Sequence, residues 1–471
     1  MSKFFKISFN KDIFFLGLGN IIRLILVISY SRLMTLFLSF EELANYYIVF
    51  SIYTFFSFII IGSVGNYINR KTIEWYEENN LKSALKQIFI KFLFPLSIFS
   101  FLPVFVYSFY VYDSIKTSII ICALVFTLIL FKTFNETVYP IFNIIRKNIK
   151  YVYFLLTFNL LNLLFSVLFV YFFGYNFEFW MLGLICSNLI VALLAWKSLF
   201  INSKSQNTLK LNIKELYNFS SNILIGHILI WFLTDGFRFF AKNKFDTNSL
   251  GILLLGLMVS TQIFSLIEHF LNQIIYPRYL KKISTNNFNE RSVAFNKYFN
   301  KVLPIVFLSA IFMSLSSAEI LSILIDKSKI NNTIIFVFQV AIWIEFFRIL
   351  INSLKNITTS EFQTQKLILP YFIGCLIFIL GIILYDFNVK SLSALLLLSY
   401  FLISIICIKM FNKIIKIKLD ILNIIKLFGY LIPIFILLFL FDKIIITILC
   451  SFYFMLIIYN FLNKDYLNEI I

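Results

Sequence analysis

Ten charged residues lie inside stretches that are otherwise apolar and long enough to cross a lipid bilayer. The most informative is Arg23, which lies ten residues into the stretch that begins at Ile13. That position is near the middle of a hydrocarbon core about 30 Å thick, where an arginine costs about 2.5–3.5 kcal/mol. It indicates either a polar cavity, which we favour, or a structural arginine paired with a neighbouring helix. These ten are Arg23, Arg32, Lys132, Glu136, Asp235, Arg238, Glu268, Glu319, Glu345 and Arg348; three lysines at the ends of stretches, Lys91, Lys197 and Lys301, are counted with the connections.

In each of two stretches, a basic and an acidic residue lie on the same face of the predicted helix. Lys132 and Glu136 are four residues apart, and Glu345 and Arg348 are three apart. Such pairs either neutralise themselves or line a water-filled path in which a carboxylate titrates. Both interpretations stay open at this point.

Cations along a polar path suit a substrate that carries phosphate, because the planar guanidinium binds phosphate through paired, charge-assisted hydrogen bonds. Arg23 and Arg32 are nine residues apart, so they lie on opposite sides of a straight helix, and we rank Arg23 above Arg32. The candidate anion-binding residues are Arg23, Arg32, Lys132, Arg238 and Arg348. The candidate ion-coupling residues are Glu136, Glu345 and Asp235.

Metal, disulfide and nucleophile chemistry have little support in the sequence. All five cysteines lie in apolar stretches, where they are expected to be small buried hydrophobic residues, and the two histidines, His227 and His269, are far apart. We expect no metal, no cofactor and no catalytic residue.

The composition is that of a membrane protein. Sixty per cent of the 471 residues are apolar, only 14% are charged, and the mean hydropathy is +0.90. These values exclude a soluble globule and a disordered chain. No cleavable signal peptide is visible before the first apolar stretch.

We predict an all-α polytopic protein with about fourteen transmembrane helices. Each apolar stretch is long enough to cross the bilayer as a helix. The predicted spans are 13–38, 46–68, 90–111, 118–142, 151–173, 179–199, 217–240, 250–275, 299–325, 332–354, 367–385, 391–408, 427–441 and 444–461.

The net charge of +18 is a topology signal and not a nucleic-acid signature. The N-terminus and every second connection hold 29 of the 41 Lys and Arg residues, and the intervening connections hold seven. By the positive-inside rule both termini are cytoplasmic, as an even number of spans requires. Two inner segments, 72–88 and 409–426, have the pattern of amphipathic surface helices. Neither side carries a soluble domain, which argues against an enzyme.

An internal repeat underlies the hydrophobic pattern. Arg32 matches Arg238, and Arg70 matches Arg278, 206 and 208 residues later. Glu136 matches Glu345 at 209. We therefore predict two parallel six-span lobes, as in transporters that bind substrate between such halves. The predicted division is 1–205 for spans one to six, 206–410 for spans seven to twelve, and 411–471 for two further spans and a cytoplasmic tail.

Two segments carry a family resemblance. Residues 40–71 resemble the first hairpin of O-antigen and capsular polysaccharide flippases, members of the multidrug/oligosaccharidyl-lipid/polysaccharide exporter superfamily. Residues 234–260 resemble the seventh span of that family, which often has Asp directly before its Arg; here the Asp stands three residues earlier. The residues that carry the resemblance are Glu41, Glu42, Gly62, Gly65, Arg70, Arg238 and Gly251.

The resemblance implies a two-lobed, alternating-access flippase with a cationic lumen, coupled to an ion gradient. Its expected substrate is an undecaprenyl-diphosphate-linked oligosaccharide, and its expected location is the bacterial inner membrane. Membrane lipids are expected partners, a polysaccharide polymerase is a candidate partner, and nucleic acid is not expected. The alternatives are a multidrug antiporter of the same superfamily and a membrane polysaccharide polymerase or ligase.

Overall fold

The computed structural model describes residues 11–440 except 113, 146, 201–212, 276–278, 280–286 and 362, together with 447, 449–451 and 453. Throughout this part the protein is α-helical, and no strand is assigned. The α-helices are α1 (Lys11–Phe37), α2 (Phe40–Ser57), α3 (Asn66–Glu77), α4 (Leu81–Ile88), α5 (Phe94–Phe99), α6 (Phe101–Tyr112), α7 (Ile115–Ile144), α8 (Asn148–Phe173), α9 (Phe177–Phe200), α10 (Ile213–Trp231), α11 (Phe237–Lys244), α12 (Thr247–Ile274), α13 (Phe288–Leu315), α14 (Ser317–Leu324), α15 (Asn332–Ser360), α16 (Ile368–Leu384), α17 (Val389–Phe411) and α18 (Ile421–Leu440).

The helices confirm the predicted all-α membrane architecture. The first thirteen predicted spans each correspond to a helix or to a run of helices joined by a π-helical turn or by a single residue. In the described part, eleven helices are long and apolar enough to cross a membrane. The protein is therefore a multi-pass membrane protein. The fourteenth predicted span, 444–461, lies outside the continuously described residues, as does Arg278 of the predicted repeat.

The backbone packs as two units, Met1–Asn243 and Lys244–Ile471. The seventh span (α10, a π-helical turn at Phe232–Gly236, and α11) packs within the first unit, against α2 and the π-helical turn Phe58–Gly65. The predicted lobes, 1–205 and 206–410, placed that span in the second half. The lobe division is a statement about internal repetition and stays a prediction.

The first unit is held by close helix packing and by polar side chains that bridge helices. Gly183 of α9 lies so close to α8 that a Cβ there would be 2.3 Å from the backbone nitrogen of Ser166. Asn135 of α7 donates to the backbone and side-chain oxygens of Asn188 on α9. On the side where α2 begins, Glu42 accepts a hydrogen bond of 2.6 Å from the Phe177 N–H, which is one of the unpaired donors at the start of α9.

The second unit is built around α15, which packs against α12, α13 and α17. Gly256 of α12 lies against Val337 of α15, and Gly381 of α16 lies against Leu395 of α17. Small residues at such contacts let membrane helices approach closely. This packing brings the charged residues of α12 and α15 to one level.

The two segments that were predicted to form surface helices differ from each other in structure. Residues 72–88 are helical, with a break at Asn79, whose φ of +58° is left-handed. The expected surface helix over 409–426 is wrong, because α17 ends at Phe411 and α18 begins only at Ile421. The physical reason is that side chains of α13 bind the backbone of this segment and hold it extended.

Candidate functional site: two intramembrane charge clusters and an unpaired arginine

The first cluster lies in the first unit, between α2 and α7. Lys132 and Glu136 form the expected ion pair on one face of α7. The Lys132 ammonium also lies over the rings of Tyr53 and Phe50, 4.6 and 5.3 Å from their centroids. Tyr53 donates to Glu136 Oε2 at 2.9 Å, and Ser57 donates to the same oxygen. Lysine and glutamate thus neutralise each other, with the lysine side chain 15% exposed.

The second cluster lies in the second unit, between α12 and α15. Arg348 Nε donates to Glu345 Oε2 at 2.6 Å, and Arg348 Nη1 lies 3.0 Å from Glu268 Oε2. Thr261 donates to Glu345 Oε1 at 2.7 Å, and Asn352 donates to Glu268 Oε1 at 3.0 Å. One guanidinium therefore bridges two carboxylates, and Lys355 is a second cation that interacts electrostatically with Glu268.

The two clusters share one arrangement. In the first cluster, a hydroxyl of the predicted second span donates to the glutamate of the fourth span. In the second cluster, a hydroxyl of the predicted eighth span donates to the glutamate of the tenth span. The residues of the two hydrogen bonds, Tyr53 with Glu136 and Thr261 with Glu345, are 83 and 84 positions apart in the sequence. The sequence matched the two glutamates, and the structure adds that their hydroxyl partners also correspond.

Glu268 is the functional candidate that the sequence-based set of ion-coupling residues lacks. The signal was available, because Glu268 has no Lys or Arg within one helical turn of it, so its partner had to come from another helix. One donor of Arg348 makes no hydrogen bond: its Nη2 is buried and has no hydrogen-bond partner among the described residues.

Arg238 and Asp235 are a buried ion pair in the first unit. Arg238 Nη2 lies 2.7 Å from Asp235 Oδ1, and their side chains are 4% and 12% exposed. Arg238 Nη1 donates to the Tyr47 carbonyl at 3.1 Å and to Ser51 Oγ at 2.9 Å. Trp231 Nε1 donates to the Ser51 carbonyl at 3.1 Å. This pair attaches the seventh span to α2.

Arg23 differs from the other candidate cations. It lies at the middle of α1, 14 residues or about 21 Å from the end of the helix at Phe37. Its Nε and Nη1 are buried, and neither has a hydrogen-bond partner among the described residues. Arg32, nine residues further along the same helix, is exposed. Among the described residues, no group of three or more His, Cys, Asp or Glu is placed to hold a metal ion.

Comparison with known proteins places the fold but not the family. No protein-family profile matches the sequence, and no curated protein is similar to it. Solved structures do match. The chain superposes on the lipid II flippase MurJ in an inward closed conformation with a TM-score of 0.63 at 14% identity, covering 98% of this chain and 99% of that one.

Two further solved structures have the same fold. An inward-facing multidrug resistance MATE transporter of the MOP superfamily gives a TM-score of 0.58 at 10% identity, covering 88% of this chain and 99% of that one. A MOP superfamily transporter from Pyrococcus furiosus gives 0.52 at 11% identity, covering 85% and 92%. The chain therefore has the fold of MOP superfamily transporters. These neighbours are transporters and flippases and not enzymes.

Proposed function

We propose that this protein is a flippase that moves an undecaprenyl-diphosphate-linked oligosaccharide across the bacterial inner membrane by ion-coupled alternating access. The observation that carries the proposal is Arg23, a guanidinium in the middle of a membrane helix whose Nε and Nη1 are buried and have no hydrogen-bond partner among the described residues. The similarity of this chain's fold to that of a lipid II flippase supports a lipid-linked substrate. The glycan is proposed to be an O-antigen or capsule repeat unit, and a polysaccharide polymerase is the proposed downstream partner.

The substrate chemistry follows from what each cation already binds. Lys132, Arg238 and Arg348 are each paired with a carboxylate in the structure. Arg23 is not, and a buried charged donor without a partner is costly unless a ligand supplies one. A diphosphate offers oxygen acceptors to a planar fork and would satisfy both open donors at once. Arg23 is therefore the proposed primary phosphate contact, with Arg32, Lys132, Arg238 and Arg348 as secondary contacts.

The coupling ion is proposed to act at the second cluster. Glu268 and Glu345 both bind Arg348, and Glu268 also interacts with Lys355, so a proton or a sodium ion that neutralised one of the two carboxylates would change the charge balance of this group. The first cluster, at Glu136, already has one lysine for one carboxylate and offers a weaker reason to bind a cation. Asp235 is fully engaged with Arg238 and ranks below both glutamates. A ligand that binds one conformation better than another shifts their populations, which is all that coupling requires.

The Arg23 proposal is tested by transport of a fluorescent, diphosphate-linked lipid oligosaccharide in proteoliposomes. Arg23→Ala should reduce transport at least tenfold, because two charge-assisted hydrogen bonds contribute about 1.5–3 kcal/mol each. Arg23→Lys should rescue only part, since a single ammonium cannot replace the fork. Arg32→Ala, which removes an exposed arginine from the same helix that is proposed only as a secondary contact, should reduce transport less than Arg23→Ala does. Normal transport by Arg23→Ala at normal protein level would make Arg23 a structural residue.

The coupling proposal is tested by the dependence of transport on pH and sodium. Glu345→Gln and Glu268→Gln should each leave substrate binding intact and make transport independent of the gradient or abolish it. Glu136→Gln should keep the gradient dependence. If Glu345→Gln and Glu268→Gln both transport with unchanged pH and sodium dependence, the second cluster is a static ion-pair network.

A multidrug antiporter is the second candidate function. It is supported by the similar fold of multidrug resistance MATE transporters and by the two carboxylates of the second cluster, which would suit a cationic drug. Expression in a drug-sensitive host separates the two functions. An antiporter raises resistance to cationic drugs, whereas a flippase leaves resistance unchanged and restores surface glycan in a flippase-deficient host.

A further inference from the structure

The inner connection between α17 and α18 contains a short extended segment that two asparagines of α13 hold in place. Asn296 donates to the Lys416 carbonyl at 3.1 Å and accepts from the Lys418 N–H at 2.7 Å. Asn300, one helical turn later, donates to the Lys418 carbonyl at 2.8 Å and accepts from the Asp420 N–H at 2.9 Å. Four hydrogen bonds therefore replace a strand partner and fix the backbone of residues 416–420.

The extended backbone separates apolar from basic side chains. Ile415 is fully buried and Ile417 is half-buried, while Lys416 and Lys418 are exposed. Side chains alternate along an extended segment, so the two lysines share a face with the exposed Asp420, and the Cα atoms of the lysines are about 6.5 Å apart. Lys413 is exposed just before this segment. Lys413, Lys416 and Lys418 have no ion pair with any described residue.

The α13 helix contributes to the same surface. Lys297 and Lys301 directly follow the two asparagines, four residues apart, and so lie together on the neighbouring face of α13. Lys297 is exposed and Lys301 is half-buried. We call these five lysines the basic surface: Lys297, Lys301, Lys413, Lys416 and Lys418.

We propose that the basic surface binds the phosphate head groups of anionic phospholipids. The segment joins α17, which is long and apolar enough to cross a membrane, to α18, which covers most of the thirteenth predicted span, so we place it at the level of the lipid head groups. Leu419 and Leu422, beside the lysines, are 49% and 70% exposed, which suits contact with acyl chains and not with a soluble polyanion. Clusters of lysines beside a membrane helix are attracted to anionic lipids.

The hydrogen bonds from Asn296 and Asn300 distinguish this proposal from an explanation by membrane topology alone. The positive-inside rule needs only charge on the correct side, and flexible side chains provide it. Topology does not require two asparagines that hold Lys416 and Lys418 at a fixed spacing. The inference does not depend on the transported substrate and would stand for any transporter with this fold.

The test measures lipid binding to the full-length purified protein in detergent by native mass spectrometry, with phosphatidylglycerol and phosphatidylcholine as probes. The wild type should bind phosphatidylglycerol in preference. The triple variant Lys413→Gln, Lys416→Gln, Lys418→Gln should bind it about 100-fold more weakly, at roughly fivefold for each lysine near an anionic surface. Phosphatidylcholine binding should not change.

A matched control removes equal charge from an inner connection of the first unit, as Lys82→Gln, Lys86→Gln and Lys91→Gln. It should change phosphatidylglycerol binding less than about threefold, because its loss affects only the long-range field. Equal losses in the two triple variants would mean attraction to net charge and would overturn the proposal. Displacement of phosphatidylglycerol by an equal concentration of inorganic diphosphate would also overturn it, in favour of a diphosphate site.

The decisive variant keeps every lysine. Asn296→Ala with Asn300→Ala removes the four hydrogen bonds and should weaken phosphatidylglycerol binding at least tenfold. Asn300→Ala alone, which leaves Asn296 in place, should have an intermediate effect and serves if the double variant does not fold. Wild-type binding by the asparagine variants that fold would show that the fixed spacing of the lysines has no role and would refute the site.

Discussion

Replacing Arg238 by methionine is expected to destabilise the first unit strongly, because it leaves the Asp235 carboxylate buried without its partner. The two side chains are 4% and 12% exposed and lie 2.7 Å apart. Removing one partner of a buried ion pair costs about 3–5 kcal/mol, whereas replacing both can be neutral or stabilising. The single variant should therefore shift the folding equilibrium by roughly 10²- to 10⁴-fold. Asp235→Asn with Arg238→Met should recover most of that loss.

The assay is a double-mutant cycle on purified protein in detergent. Unfolding by a denaturing detergent is followed through tryptophan fluorescence, to which Trp231 contributes directly because its indole binds the Ser51 carbonyl beside Arg238. The coupling energy of the pair is the difference between the sum of the two single changes and the double change. We expect at least about 2 kcal/mol, since both groups are withdrawn from water.

Transport by the double variant decides what Arg238 does. If Arg238 is chiefly the attachment of the seventh span to α2, the folded double variant transports. If Arg238 also meets the substrate, the double variant folds and does not transport. A single Arg238→Met that unfolds like the wild type, within about 0.5 kcal/mol, would refute the buried-pair reasoning altogether.

Three further predictions concern packing, a helix end and topology. Gly183→Ala should destabilise the protein by about 1–3 kcal/mol, because the added Cβ would lie 2.3 Å from the backbone of α8. Gly226→Ala, where nothing lies within 4 Å of the added Cβ, should not, and thermal unfolding of the two variants tests the difference. Glu42→Ala should lower the free energy of unfolding by about 1 kcal/mol, because it removes the hydrogen bond from the Phe177 N–H, and Glu42→Gln should lower it less. Burial raises the pKa of Glu42, so the wild type, unlike Glu42→Gln, should gain stability as pH falls through that pKa. Cysteine at Lys413 should label only from inside and cysteine at Asp386 only from outside; the reverse would refute the fourteen-span topology.

The second cluster shows where sequence reasoning stops. Glu345 and Arg348 were predictable as a pair because three residues along a helix fix their proximity. Glu268 is 80 positions from Arg348 in the sequence, and nothing local to either residue selects the other. The same holds for the hydroxyls of Tyr53 and Thr261. Only the packing of α2 on α7 and of α12 on α15 brings them to the carboxylates.

The inner segment 409–426 shows how tertiary contacts override a local pattern. Its alternation of lysines with isoleucines is compatible with an amphipathic helix and with an extended segment. Asn296 and Asn300, more than a hundred residues earlier, supply the hydrogen bonds that a helix would otherwise make within itself. Two side-chain amides from a distant helix, together with Asn412, whose Oδ1 accepts from the Ile417 N–H, bind the backbone of these residues.

The sequence by itself determined the membrane-spanning helices, because a span is a local property of about 20 consecutive apolar residues. It also determined the ion pairs three or four residues apart, because the helical repeat fixes them. The tertiary structure decided which cations remain available. Arg238 is paired with Asp235 and its Nη1 donates to α2, while Arg23 has no carboxylate partner and keeps two buried donors without hydrogen-bond partners among the described residues. That difference depends on which groups lie opposite each side chain in three dimensions. Residue type and spacing along one helix do not give this information.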